Sequence, residues 1–133
     1  MNRGLPHMKR RLLVVEDNPL NLEMITVWLE MEGYEVHPAE TLESARRVFQ
    51  SADPVMVLLD IRLGSEDGAE FAVWLRAQPE KNTTPVIAVT AHALREEQDR
   101  ILKAGCNAVV SKPVDFKALR AEMNRWLIQT TLA

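Results

Sequence analysis

Cysteine is nearly absent from this sequence: Cys106 is the single one in 133 residues. One thiol closes no internal disulfide, and a reducing, cytosolic setting fits. Long apolar runs are lacking too. The longest, "LLVV" at 12–15 and "VMVLL" at 55–59, fall far short of the roughly 20 residues of a membrane span. No charged-then-apolar leader opens the chain, so no signal peptide is expected. Nor is there a basic excess. Lys and Arg number 16 against 19 Asp and Glu, a net charge of -3, which removes the electrostatic case for nucleic-acid binding. Lys9, Arg10 and Arg11 are too few to restore it and read as a solvated strand entry. Internal repeats and low-complexity stretches are missing. His7, His37 and His92 show no ligand spacing, which argues against a zinc site.

What is present is an ordinary globular mix, 47% hydrophobic and 26% charged, of a length that suits one domain. Residues 1–8, "MNRGLPHM", carry no period and read as a remnant or a frayed end, with the domain proper over 9–132. Unbroken apolar runs at 12–15, 55–59 and 86–89 read as strands covered on both faces by helices. The more polar 34–38 and 108–111 read as edge strands. Between them lie helical patterns. Leu20, Met24, Val27 and Met31 form one stripe, after Asn18 as cap and Pro19 at the first helical position. Leu42, Ala45 and Phe49 form a second, after Thr41. Phe71, Trp74 and Leu75 mark a third, Leu94, Ile101 and Leu102 a fourth, and Leu119, Met123, Trp126 and Leu127 a fifth. Gly33 and Gly105 stand where helices should stop. Trp28, Trp74 and Trp126 are expected to pack in or against the core. Five strands alternating with five helices predict an α/β fold: one parallel sheet with helices on both faces.

The strand ends carry the chemistry. The first ends in Glu16 and Asp17, the third in Asp60, the fourth in Thr90, the fifth in Lys112 and Pro113. Three acids, a hydroxyl and an ammonium therefore gather at one rim. Three carboxylates this close repel by about 1–4 kcal/mol per pair, so they either raise one another's pKa or hold a cation. Hard oxygen ligands that leave room for water suit Mg²⁺.

These residues resemble the receiver domains of two-component response regulators over 9–132. The matching stretches are "VVEDNP", "VMVLLDIRLGSEDG", "VIAVTAHA" and "AGCNAVVSKPVD". Asp60 follows Asp17 by 43 residues, Thr90 follows Asp60 by 30, and Lys112 follows Thr90 by 22. The resemblance implies a flavodoxin-like receiver fold with strand order 2-1-3-4-5 and a site at its switch point. It implies that Asp60 accepts a phosphoryl group from a phosphohistidine on a sensor histidine kinase or a histidine phosphotransfer protein. It implies Mg²⁺ held by Asp17 and Asp60, with Glu16 acting through water and the backbone carbonyl of Arg62 as a further ligand. Lys112 and Thr90 would bind phosphoryl oxygens, and Pro113 would follow a cis peptide that aims the lysine. The first helix, near Asn21, Leu20 and Met24, is where such a domain receives its kinase. No room for an output domain remains, so the chain is expected to act through protein contacts, alone or as a receiver cut from a longer regulator or hybrid kinase. No nucleic acid and no membrane insertion are expected.

Departures from the family pattern stand at two positions. Gly64 replaces the usual proline after the phosphoacceptor, which predicts a more mobile loop. Val109 stands where most receivers carry Tyr or Phe. It is either an edge-strand valine packing on the last helix or part of an adapted switch working through groups near Leu94 and His92. Arg62 and His92 are either solvated loop residues or groups that control water access to the phosphoryl group. Three rival readings compete: a phosphorylation-independent scaffold of the same fold, a flavodoxin-like cofactor binder, and a dehalogenase-type phosphatase. "EDNP" lacks the small polar phosphate loop of the second, and Arg62 stands where the third needs an acid.

Overall fold

The computed structural model describes residues 9–92 and 94–132, with side chains to 127. The leading residues 1–8, and His7 with them, lie outside the described residues. In chain order the elements are β1 (Arg11–Val15), α1 (Pro19–Met31), β2 (Glu35–Ala39), α2 (Leu42–Ala52) and β3 (Met56–Asp60). Then come β4 (Arg62–Leu63), β5 (Glu66–Asp67), α3 (Ala69–Arg76), β6 (Val86–Thr90), α4 (Arg95–Ala104), β7 (Ala108–Ser111) and α5 (Phe116–Leu132). Five of the strands form one parallel sheet in the order β2-β1-β3-β6-β7, while β4 and β5 pair separately as an antiparallel hairpin. With the hairpin set aside, the order is the expected 2-1-3-4-5.

The apolar runs explain the layering. Alternate strand residues point to opposite faces. Leu13, Val57 and Leu59 meet Leu42, Phe49, Phe71, Leu75 and Ile101 of α2, α3 and α4. Leu12, Val14 and Leu58 meet Leu29, Leu119, Met123 and Leu127 of α1 and α5. Each fully buried side chain of this size contributes roughly 1.5–3 kcal/mol. The edge strand β2 stays partly open, as its polar sequence predicts. Asn18 caps α1 by accepting from the backbone N–H of Asn21, with Pro19 following. Thr41 and Ser44 form a capping box on α2.

Two helical stripes are not what the sequence predicts. Leu20, Met24, Val27 and Met31 lie on the solvent side of α1, between 52% and 78% exposed. The helix instead meets the sheet through Leu29, with Leu22, Ile25 and Trp28 packed beside it. Because α1 carries apolar residues on both sides, helical three- and four-residue spacing fits either face. On α4 only Ile101 is buried; Leu94 and Leu102 face water. The three tryptophans are half-buried, as expected.

One polar joint is invisible in sequence. The Arg76 guanidinium, at the end of α3, donates to the carbonyls of Asn82 and Thr84 (2.8 Å each). It also donates to the Gly105 carbonyl (3.0 and 2.8 Å) and to Asn107 Oδ1 (2.9 Å). Burial lowers its pKa from the ordinary value. Gly105 ends α4 at φ +122, and a Cβ there would lie 2.8 Å from the Arg76 side chain.

Candidate functional site

The register aligns the strand ends. Val15 pairs with Leu59, Asp60 with Val89, and Thr90 with Ser111. The residues at and just past those pairs therefore share the carboxyl rim. Glu16, Asp60 and Thr90 are the three buried polar residues there, at 7%, 5% and 3% exposure. Asp17 lies further out. Carboxylate oxygens of Glu16, Asp17 and Asp60 all come within 4.8 Å of one another. Lys112 reaches into the group from the end of β7, its Nζ 3.0 Å from Asp60 Oδ2 and 3.5 Å from Glu16 Oε1. The Lys112–Pro113 peptide bond is cis, as the resemblance implies.

Backbone groups hold the acids in place. The N–H of Arg62 donates to Asp60 Oδ1 at 3.1 Å, and that of Asn18 to Glu16 Oε2 at 3.1 Å. Burial pushes the Glu16 carboxyl up from 4.5 to about 7, with the nearby Asp60 adding to the rise. Burial alone would lower Lys112, but its hydrogen bond to Asp60 and the charges of Asp60 and Glu16 outweigh that and raise it. The Thr90 hydroxyl accepts from the His92 N–H at 3.0 Å, at the neighbouring strand end. His92 itself is exposed, as is Arg62 beyond its backbone contact.

Glu16, Asp17, Asp60 and Lys112 thus converge, and the Arg62 backbone touches them. Of the two readings of Val109, packing on the last helix does not hold. Its side chain packs against the core of α2, α3 and α4, while Ala108 and Val110 face α5, so packing on the last helix is ruled out by the strand's alternation.

The loop after Asp60 folds as a tight hairpin. Gly64 stands at φ +60 in the turn of the β4–β5 hairpin, a conformation closed to proline, whose ring fixes φ near about -65°. Gly64 and Ser65 form the two-residue turn that favours a tight hairpin, and that dipeptide is the sequence signal for it. Leu63 is buried, Glu66 Oε1 accepts from the Leu42 N–H at 3.1 Å, and the loop is therefore fastened to its neighbours. Gly68 is a second residue that sequence reasoning missed. A Cβ there would stand 2.2 Å from the Asp60 carbonyl oxygen, so only glycine lets α3 begin this close to the acid.

A five-stranded parallel α/β sheet with acids and a lysine converging at its switch point defines a class of signalling domain. The family model described as the response regulator receiver domain matches residues 12–124. The polar-differentiation response regulator DivK of Brucella ovis is 36% identical over 107 residues, spanning 80% of this chain and 87% of that protein. A putative response regulator from Chloroflexus aurantiacus superposes with a TM-score of 0.85 at 26% identity, over 91% of this chain and 99% of its own. The receiver domain of the sensor histidine kinase PA1611 from Pseudomonas aeruginosa, solved with magnesium in its active-site cleft, superposes at 0.82. It is 32% identical, over 90% of this chain and 98% of its own. The chain belongs to the response regulator receiver-domain family.

Proposed function

We propose that this domain takes a phosphoryl group from a phosphohistidine onto Asp60 and passes the signal on by changing its protein contacts. The observation that carries the reading is the convergence of three carboxylates with an ammonium 3.0 Å from one of them. An Asp60 oxygen attacks phosphorus, the phosphorus–nitrogen bond breaks, and its electron pair returns to the imidazole. A carboxylate nucleophile of this kind carries the transferred group as an aspartyl phosphate.

The donor set suits Mg²⁺: oxygens only, with Asp17 open to solvent so that waters complete the shell. Asp17, Asp60 and the main-chain carbonyl of Arg62 would hold the ion, with Glu16 acting through water, and the ion would offset negative charge on the transferring group. Lys112 neutralises a phosphoryl oxygen, and Thr90 donates its hydroxyl to another. The partner is a sensor histidine kinase or a histidine phosphotransfer protein, met in the cytoplasm. A cleft of about 500 Å³ between α1 and the turn at 113–116 opens beside Asp60, lined by Met24, Ile25, Val114 and Phe116. With the exposed Met24 on its wall, it offers the partner an apolar bed next to the acid.

Incubation with Mg²⁺ and a small phosphodonor, read by intact mass, tests this. A single phosphoryl adduct is expected on the wild type and none on Asp60→Asn. Equal labelling of the two, or labelling of neither, overturns the reading; the second result would favour a phosphorylation-independent scaffold.

A further inference from the structure

The β4–β5 hairpin touches the acid site through β4 and the turn, and α4 through β5. The Arg62 N–H binds Asp60 Oδ1 at 3.1 Å, and Gly64 lies so close to Asp17 that a Cβ would stand 3.8 Å from Oδ2. Arg62 pairs across the hairpin with Asp67. The Asp67 carboxylate faces two ways. Its Oδ1 accepts from the Ala69 N–H at 3.0 Å, starting α3, and its Oδ2 meets Arg100 Nη1 of α4 at 2.7 Å. Arg100 is steadied in turn by Glu97 Oε1, 2.7 Å from its Nε. The hydrogen bonds that Arg100 donates to Glu97 and then Asp67 raise its pKa, so the cation is permanent.

Ile101 is the one buried residue of α4, with Ala104 packed partly against the core, and among the described residues no side-chain hydrogen bond caps the helix at Leu94. The three-charge set therefore links a sparsely anchored helix to the loop that shapes the acid site. An isolated exposed ion pair contributes little, but a network sharing one arginine with a helix-starting carboxylate is better placed.

We propose that Arg100 is a positioning residue for the cation site: through Asp67 it holds the β4–β5 hairpin, and with it the Arg62 main chain, where a divalent cation needs it. The inference rests on the Mg²⁺ reading above and goes beyond it in coupling α4 to metal affinity. Coupling is reciprocal, so metal binding also steadies α4.

Titration calorimetry with Mg²⁺ on the full chain tests this, using wild type, Arg100→Ala, Asp67→Asn and the double variant. The Asp67→Asn change keeps an oxygen for the Ala69 N–H while losing the charge. Each single change is expected to weaken binding about three- to five-fold, the double no more than either single, and Arg100→Lys to recover part of the loss. In amide exchange, Mg²⁺ should slow α4 in the wild type and leave it unchanged in Arg100→Ala. Wild-type affinity in both single variants overturns the inference, as do losses that add in the double. If the wild type binds Mg²⁺ and Asp60→Asn does not, such results leave the functional reading intact. A wild type that binds no Mg²⁺ overturns both.

Discussion

Helices α4 and α5 both lean on the edge strand β7, one on each face of the sheet. They are mounted in opposite ways. α5 sinks Leu119, Met123 and Leu127 into the core, at 0%, 2% and 4% exposure. Phe116 at its start lies against Trp28, with ring centroids 4.8 Å apart. Arg120 then straddles Trp28 and grips Glu32 with two hydrogen bonds of 2.9 Å. α4 buries one large side chain, Ile101, with Ala104 packed partly beside it, and carries the Arg100 charge set. Packing of several large side chains fixes a helix as part of the cooperative core, whereas a single anchor leaves it a local unit with its own opening free energy. The difference teaches where this domain can rearrange without unfolding.

Cutting one anchor from each helix should give the largest contrast. Leu119→Ala is expected to cost about 2–5 kcal/mol in chemical denaturation, spread over the whole fold, because Met123 and Leu127 keep α5 in register. Ile101→Ala removes α4's only buried side chain, so amide exchange should show α4 losing protection well before the sheet. Equal protection of α4 and β3 in that variant would erase the distinction.

Arg76 sharpens the contrast from the other end of α4. Arg76→Lys leaves several carbonyls around Gly105 without a donor, since an ammonium cannot reproduce the planar fork. A loss of about 2–4 kcal/mol is expected in urea unfolding.

The acid rim gives a smaller, pH-dependent effect. The Glu16 carboxyl has its folded value raised from 4.5 to about 7. The folded state thus binds the proton more tightly than the unfolded state. That contribution is full below pH 4.5 and drains away as pH climbs toward about 7. Without metal, stability should fall across this window, and Glu16→Gln should flatten the slope. A stability curve that rises over the same interval would contradict it. The smallest effects belong to Leu94→Gln and Leu102→Gln. Both side chains face water, so thermal unfolding should move by less than about 0.5 kcal/mol.

Much of the fold is legible in the residues alone. Residues 12–15, 55–59 and 86–89 announce buried strands because nothing polar interrupts them, and the rim acids follow from where those runs stop. The side of α1 that meets the sheet is not legible, since Leu22, Ile25 and Leu29 compete with Leu20, Met24 and Val27 on equal terms. Arg76 looks like any solvated helix residue in sequence, because its acceptors arrive from 82, 84, 105 and 107 only after folding. The hairpin at 62–67 does have a signal, its Gly-Ser turn, but the strands flanking that turn are only two residues long and show no alternation.

All the hydrogen-bond acceptors around Arg76 are uncharged oxygens, whereas Arg100 and Arg120 hold carboxylates. Brine screens those exposed carboxylate clasps, whereas a half-buried guanidinium resting on amide oxygens has no opposite charge to lose. As salt loosens the perimeter, the seam joining α3 to the strands beyond it should hold.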